Sequence, residues 1–142
     1  MQYKQGRSPR CVHYKTRMEM SEIKLEKTAK TPEVKFSTGP VAMSLAGRSI
    51  PENSIEFYKP LLDWVDSNVQ DNDEAVNISI RLEYFNTSSS KCLMDLFKRI
   101  EKASSKATVD WYYEDEDEDM LEAGEDYDAI IDIPFRLIAT TA

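Results

Sequence analysis

The sequence contains few of the residues from which catalytic and metal sites are built. Its one histidine is His13, and its two cysteines, Cys11 and Cys92, lie far apart in a chain of 142 residues. A Ser-His-Asp or Cys-His catalytic set needs a histidine, so none is expected in the patterned part of the chain. A zinc site needs several ligands at short spacing, and a phosphate-binding loop needs clustered glycines, whereas the four glycines lie apart. We therefore predict a protein that is not an enzyme and holds no metal or cofactor.

Long apolar runs are also missing. The sequence has no stretch of about 18 apolar residues, the length that a membrane-spanning helix needs. The basic residues near the start are not followed by an apolar stretch, so they are not typical of a secretory signal. Two distant cysteines fit a reducing compartment. These features predict a cytoplasmic protein without a membrane partner.

Charge is unevenly distributed along the chain, whose net charge is −8. Residues 1–30 carry eight Lys or Arg against three Glu, a net of +5, and residues 31–142 carry ten against twenty-three Asp or Glu, a net of −13. An acidic domain repels the phosphates of nucleic acids, so we expect no nucleic-acid partner. With 41% apolar residues, the chain can bury one core. We predict a basic, disordered leader over 1–30 and a single domain over 31–142.

Apolar periodicity divides the domain into strands and helices. Alternating apolar residues predict a β-hairpin over 33–46 and strands over 76–85, 107–113 and 131–137, the last an edge strand because it contains Pro134. Apolar residues at helical spacing predict helices over 88–103 and 117–127.

A further helical stripe runs from Ile55 to Val69, but it contains Pro60. Proline lacks the N–H that a helix interior uses, and it is tolerated best in the first turn. We therefore expect a turn over 54–58 and a main helix that begins near residue 59.

The resulting order is β-β-α-β-α-β-α-β, which predicts an α/β fold. Most strands are apolar on one face, as in 76–85, where we expect every second residue from Val76 to Tyr84 to face the core. A sheet covered on both faces would show continuous apolar runs instead. We predict two layers: a mixed sheet, with 76–85 and 107–113 parallel, and helices mainly on one face.

Five polar residues, Asn86 to Ser90, crowd the point where a predicted strand becomes a predicted helix. One such side chain can cap the helix by accepting a hydrogen bond from a free N–H group. The same N–H groups and the positive end of the helix dipole favour a phosphate. The residues alone therefore leave two interpretations open, an ordinary helix cap and a phosphorylation site.

Several blocks of the sequence resemble a known family. They are "SIPENS" (49–54), "LLDWV" (61–65), "LEYFNTSSSKCLMDLF" (82–97), "VDWYYEDEDEDMLEAGEDY" (109–127) and "IPF" (133–135). In this combination and order they are similar to the SiaC-type biofilm-regulation phosphoproteins, and the resemblance covers about residues 30–138. It implies a fold related to STAS (anti-anti-sigma) domains.

The resemblance also implies a function. It identifies Thr87 as the phosphoacceptor, phosphorylated by a partner Ser/Thr kinase and dephosphorylated by a PP2C-type phosphatase. It implies that the unphosphorylated form binds and activates a diguanylate cyclase, which raises cyclic di-GMP. Around Thr87 we expect further motif or partner-binding residues: Asn86, Ser88, Ser89, Lys91, Pro51, Glu52 and Asn53. Each also has a plain structural interpretation, as a cap, loop or exposed residue.

Two other classes of function remain open at this point. A STAS-type adaptor that controls an anti-sigma factor would also use a hydroxyl at a helix start. A small enzyme with an unrecognised pocket is the third class. The acidic segment 114–128 is either a solvated face or a surface for a basic patch of a partner.

Overall fold

The computed structural model describes residues 22–70 and 74–141. Within these ranges it contains six strands and three helices. The strands are β1 (Ile23–Leu25), β2 (Glu33–Ser37), β3 (Val41–Ser49), β4 (Val76–Phe85), β5 (Ala107–Glu114) and β6 (Phe135–Thr140). The helices are α1 (Ser54–Asn68), α2 (Thr87–Ala103) and α3 (Glu118–Ile130).

The six strands of the described part form one mixed sheet in chain order, β1-β2-β3-β4-β5-β6. The first three are antiparallel to one another, and the predicted hairpin is formed by β2 and β3. Its turn contains Gly39 at φ +72°, a left-handed conformation that glycine adopts at little cost. From β3 to β6 each strand is parallel to the next, and one helix connects each pair. The predicted α/β class and mixed sheet are confirmed.

The core lies between the sheet and the helices. In β4 every second residue from Val76 to Leu82 is buried, and the residues between them are exposed or half-buried. Consecutive parallel strands joined by right-handed crossovers carry their helices on one face, which agrees with this one-sided burial. The helices add Tyr58, Leu93 and Phe97 to the same hydrophobic cluster. The sheet therefore has one covered face and one open face.

The first helix differs from the prediction. It begins at Ser54 without a preceding turn and contains Pro60 in its interior. Tyr58, Leu61 and Trp64 form a buried stripe on both sides of the proline, so tertiary packing holds the helix through it. Pro60 itself is exposed, and the carbonyl group of Glu56 that loses its helical donor belongs to an exposed residue that water can reach. Ile55, expected in the apolar stripe, is 76% exposed.

The end of β4 also differs. The pairing of β3 with β4 shifts after Gly47, which faces Leu82, whereas Arg48 faces Tyr84. The extra residue is a β-bulge, which changes the face on which the following side chains lie. Tyr84, expected in the core, is 54% exposed, and Phe85 instead packs edge-on against Trp111 with ring centroids 6.1 Å apart.

The structure adds detail to the prediction at both ends of the domain. Residues 22–30 lie in the range expected as leader, yet β1 pairs there with β2 at the edge of the sheet. Residues 1–21 lie outside the described residues, so the predicted leader stays a prediction for them. At the other end, Pro134 precedes β6 rather than lying within it, and β6 is an edge strand as expected. No helix in the described ranges is long and apolar enough to cross a membrane.

Candidate functional site

Two helices start side by side at the carboxyl edge of the parallel strands. The amide oxygen of Asn53 accepts a hydrogen bond from the N–H of Glu56 at 3.0 Å and caps α1. The amide oxygen of Asn86 accepts from the N–H of Ser89 at 2.9 Å and caps α2. A bond of 2.7 Å between the hydroxyls of Ser54 and Ser88 joins the two first turns. The positive ends of two helix dipoles therefore lie next to each other.

Ser89 is sealed inside the molecule, with no exposed surface. Its hydroxyl donates to the carbonyl oxygen of Ser49 at 2.9 Å and accepts from the Ser49 hydroxyl at 2.9 Å. Since the Ser49 proton is used in this way, the Tyr58 hydroxyl, 2.7 Å away, donates to Ser49. Burial raises the pKa of Tyr58 to about 12, which keeps this donor protonated. Ser89 thus fastens α2 to β3 and is closed to a modifying enzyme.

Ser90 is held by the third helix. Tyr127 of α3 donates from its hydroxyl to the carbonyl oxygen of Ser90 at 2.9 Å, and the Ser90 hydroxyl lies 3.0 Å from the same phenol oxygen. Because the phenol has one proton, Ser90 donates in the second bond. Burial raises the pKa of Tyr127 to about 12 as well. The tyrosine of the "GEDY" block therefore holds the first turn of α2.

Thr87 and Ser88 remain on the surface. Ser88 is exposed, but its hydroxyl bonds to Ser54 and donates to the amide oxygen of Asn86 at 3.2 Å. Thr87 is exposed, and within the described ranges no hydrogen bond involves its hydroxyl. The polar run from Asn86 to Ser90 therefore serves several purposes: a cap, a free hydroxyl, a bridge to α1, and two anchors for the turn. Of the two exposed residues of this run, Thr87 is the one whose hydroxyl has no hydrogen-bond partner within the described ranges.

The remaining predicted residues surround this turn to different degrees. Lys91 is exposed four residues after Thr87, so both lie on the same face of α2. Asn53 caps α1, and Pro51 is buried in the loop before it. Glu52 lies 3.4 Å from Lys30, but both side chains are largely exposed, and such pairs contribute little, about 0–1 kcal/mol.

Sequence reasoning missed the partners that hold the site. Ser49 and Tyr127 lie about 40 residues from the serines that they bind, so no local pattern reveals the contact. Gly124 was a usable signal. A Cβ atom at this position would lie 2.6 Å from Cδ1 of Trp111, so α3 packs closely on β5 only because residue 124 is glycine. Trp111 also donates from its indole N–H to the carbonyl oxygen of Met120 at 3.0 Å.

No group of three or more His, Cys, Asp or Glu within 22–70 and 74–141 is arranged to hold a metal ion. The site offers instead an exposed hydroxyl at a helix start, held from behind by buried serines and tyrosines. An exposed hydroxyl on a rigid helix start is a group that another protein can modify or bind, as happens in regulatory domains.

The chain belongs to the SiaC family. The sequence model described as "SiaC family regulatory phosphoprotein" matches residues 25–140. An uncharacterized protein of Pseudomonas aeruginosa (strain UCBPP-PA14) is 30% identical over 123 residues, which cover 84% of this chain and 98% of the relative.

Solved structures of P. aeruginosa SiaC have the same fold. SiaC in complex with the diguanylate cyclase SiaD, of which it is the activator, is 29% identical with a TM-score of 0.78, over 83% of this chain and 99% of that one. Apo-SiaC is 29% identical with a TM-score of 0.76, over 84% and 99%. The family resemblance noted from the sequence is confirmed.

Proposed function

We propose that this chain is a phosphorylation-switched regulatory protein, not itself an enzyme, whose unphosphorylated form binds and activates a diguanylate cyclase. Membership of a family of regulatory phosphoproteins supports the switch, and the complex of SiaC with a diguanylate cyclase supports the partner. The observation that carries the proposal for this chain is Thr87, an exposed and unbonded hydroxyl at the start of α2.

A phosphate on Thr87 would change the charge of the exposed surface at the start of α2 and so the affinity for a partner. A phosphate there adds about −1.5 to −2 charges and three acceptor oxygens. In the free protein the dianion is tolerated, because Thr87 is the first residue of α2, where the helix dipole is positive, and Lys91 follows one turn later on the same exposed face. In an interface without a matching cation the same dianion costs several kcal/mol. Since about 1.4 kcal/mol corresponds to a tenfold change in affinity, phosphorylation is sufficient to release the partner.

Two further partners complete the proposed cycle. A Ser/Thr kinase phosphorylates Thr87 and a PP2C-type phosphatase removes the phosphate, both in the cytoplasm. Asn86 presents Thr87 by ordering the turn, and Lys91 steers a phosphate toward it. Pro51, Glu52 and Asn53 shape the adjacent start of α1, and Ser88 and Ser89 keep the two starts together.

The proposal is tested by one set of variants. We expect Thr87→Ala to resist phosphorylation and to keep binding and activating the cyclase, and Thr87→Asp to lose most of the binding. Ser67→Ala is the control, since it removes an exposed hydroxyl near the carboxyl end of α1, away from the two helix starts. Phosphopeptide mass spectrometry locates the label, while pull-down and cyclic di-GMP formation report the complex. A label confined to Ser88 or Ser90, or a Thr87→Asp variant that binds like the parent, would contradict the proposal.

A further inference from the structure

The open face of the sheet contains a groove that the proposed function does not use. The groove has a volume of about 550 Å³ and runs over the carboxyl ends of the parallel strands. Arg81 and Tyr112 form its floor, with the guanidinium 4.2 Å from the centre of the tyrosine ring. Both residues alternate along their strands with core residues, so the groove faces away from the helices.

Carboxylates surround this groove. Four acidic residues line it, Glu33, Glu83, Glu114 and Asp117, against two cations, Lys27 and Arg81. Glu83 and Glu114 are exposed and take part in no ion pair within the described ranges. Glu33 lies 3.8 Å from Lys35, a pair that is largely exposed. A concave surface with an excess of one charge concentrates its field more than a convex one does, so the groove suits a basic ligand.

The chain itself contains a basic segment whose charge is opposite to that of the groove. Residues 1–21 carry five Lys or Arg against one Glu, a net of +4, whereas residues 22–142 carry thirteen against twenty-five Asp or Glu, a net of −12. The family match begins at residue 25, so this segment lies outside it. We propose that segment 1–21 binds in the groove on the open face of the sheet, within the same molecule.

Connection and reach favour binding within one molecule. Segment 1–21 leads into β1 of the same sheet, and Lys27, two residues after β1, lines the groove. A six-stranded sheet is about 24 Å wide at about 4.8 Å per strand spacing, and 21 residues reach at most about 70 Å. Each exposed ion pair contributes only about 0.2–1 kcal/mol. Such weak contacts hold a ligand that is tethered at millimolar effective concentration but not one that is free at micromolar concentration.

The acidic run Asp115–Asp119 is a competing surface for the same segment. It is mostly exposed, its first helical turn contains Glu118 and Asp119, and Asp117 is already used to cap α3. The groove adds to its carboxylates the half-buried ring of Tyr112, which already holds the guanidinium of Arg81 at 4.2 Å and is therefore able to stack on a guanidinium. We therefore place the segment in the groove rather than along α3.

Cys11 allows a direct test in the full-length chain. A spin label on Cys11 in the Cys92→Ala background broadens NMR signals of amides that it approaches. At low salt we expect the amide signals of Arg81, Glu83 and Tyr112 to lose more than half their intensity, and at about 0.5 M salt, where charges are screened beyond a few Å, to recover it. The double variant Glu83→Gln/Glu114→Gln is expected to abolish most of the broadening.

A matched control separates the groove from α3. Glu118→Gln/Asp119→Asn removes the same charge from exposed positions of the competing acidic run that do not line the groove, and we expect it to leave the broadening unchanged. A second measurement avoids the substitution of the buried Cys92. In the unlabelled parent protein, Arg7→Gln/Arg10→Gln should shift the amide resonances of Arg81, Glu83 and Tyr112. Broadening centred on α3, none in either region, or broadening seen only between labelled and unlabelled molecules would overturn the proposal.

Discussion

The starts of α2 and α3 differ in the negative charge that they place at the positive end of the helix dipole. The first turn of α3 carries fixed negative charge from Glu118 and Asp119, and its cap is Asp117. The first turn of α2 carries no acidic residue, and its cap is the neutral Asn86. Negative charge near a helix start is stabilising by about 0.3–1 kcal/mol. The dipole of α3 is therefore offset by fixed charges, whereas the start of α2 carries none, which agrees with the proposed phosphorylation of Thr87.

The largest expected effect comes from moving the negative charge two residues along α2. Ser89→Asp buries a carboxylate in a position with no exposed surface and no nearby cation among its bonded neighbours. We expect the free energy of unfolding to fall by about 3–5 kcal/mol, as for an unpaired buried charge. Urea unfolding measures this loss, and Ser89→Ala, expected to lose only about 1–2 kcal/mol, is the control for the missing hydrogen bonds.

High pH should weaken the support behind the start of α2. Burial raises the pKa of Tyr58 and Tyr127 from 10 to about 12, so the folded state holds their protons more tightly than the unfolded state does. Stability is therefore complete below pH 10 and is lost between about pH 10 and pH 12, on the order of 2–3 kcal/mol for each phenol. Thermal unfolding from pH 9 to 12 measures it.

Replacing one of the two buried tyrosines tests whether its phenol contributes to the loss of stability at high pH. Tyr127→Phe should show a smaller loss of stability above pH 10, because one of the two phenols no longer titrates. Tyr84→Phe is the control, since Tyr84 is 54% exposed. An identical loss in the parent and in Tyr127→Phe would show that Tyr127 does not contribute to this pH dependence.

A methyl group at Gly124 should disturb α3 without touching its charged start. The new Cβ would lie 2.6 Å and 2.7 Å from atoms of Trp111 and 2.9 Å from Leu137. Overpacking of this kind typically costs about 1–3 kcal/mol, so we expect Gly124→Ala to lower the unfolding midpoint in urea. Glu125→Ala, at the exposed neighbouring position, should change stability by less than about 0.5 kcal/mol. A Gly124→Ala variant as stable as Glu125→Ala would refute the close packing.

The smallest effect tests the comparison itself. Thr87→Asp places a fixed negative charge at the start of α2, and we expect the free energy of unfolding to rise by about 0.3–1 kcal/mol at low salt. Glu118→Gln removes such a charge from α3 and should lower it by a similar amount. Both changes should shrink at high salt, since both are exposed. If both variants raised the free energy of unfolding, or both lowered it, negative charge would not stabilise the two helix starts alike.

Local periodicity was sufficient for most of the fold. The predicted helix over 88–103 differs from α2 by one residue, because its apolar residues repeat on one face and Asn86 marks its start. Pro60 was misjudged because its local cost is offset by the burial of Tyr58 and Leu61, which depends on tertiary packing. Tyr84 was assigned to the wrong face because a β-bulge leaves no trace in an alternating pattern.

The candidate site was predictable only in outline. The cap and the exposed hydroxyl follow from the residue types between β4 and α2. The resemblance to the family identified Thr87, but the reason why Ser89 and Ser90 are less available lies in their contacts with Ser49 and Tyr127, which are 40 and 37 residues away in the chain. The groove combines side chains from several strands and from the loop after β1, so it too appears only after folding.

The strand order has a consequence for synthesis on the ribosome. Each strand of the sheet lies next to the strand made just before it, so the sheet can grow in the direction of translation. The helix that contains Tyr127 is made after α2 is complete. A nascent chain that ends before α3 therefore carries Thr87 on a turn that has not yet received the hydrogen bonds of Tyr127, and this turn is complete only when the final fifth of the polypeptide has emerged.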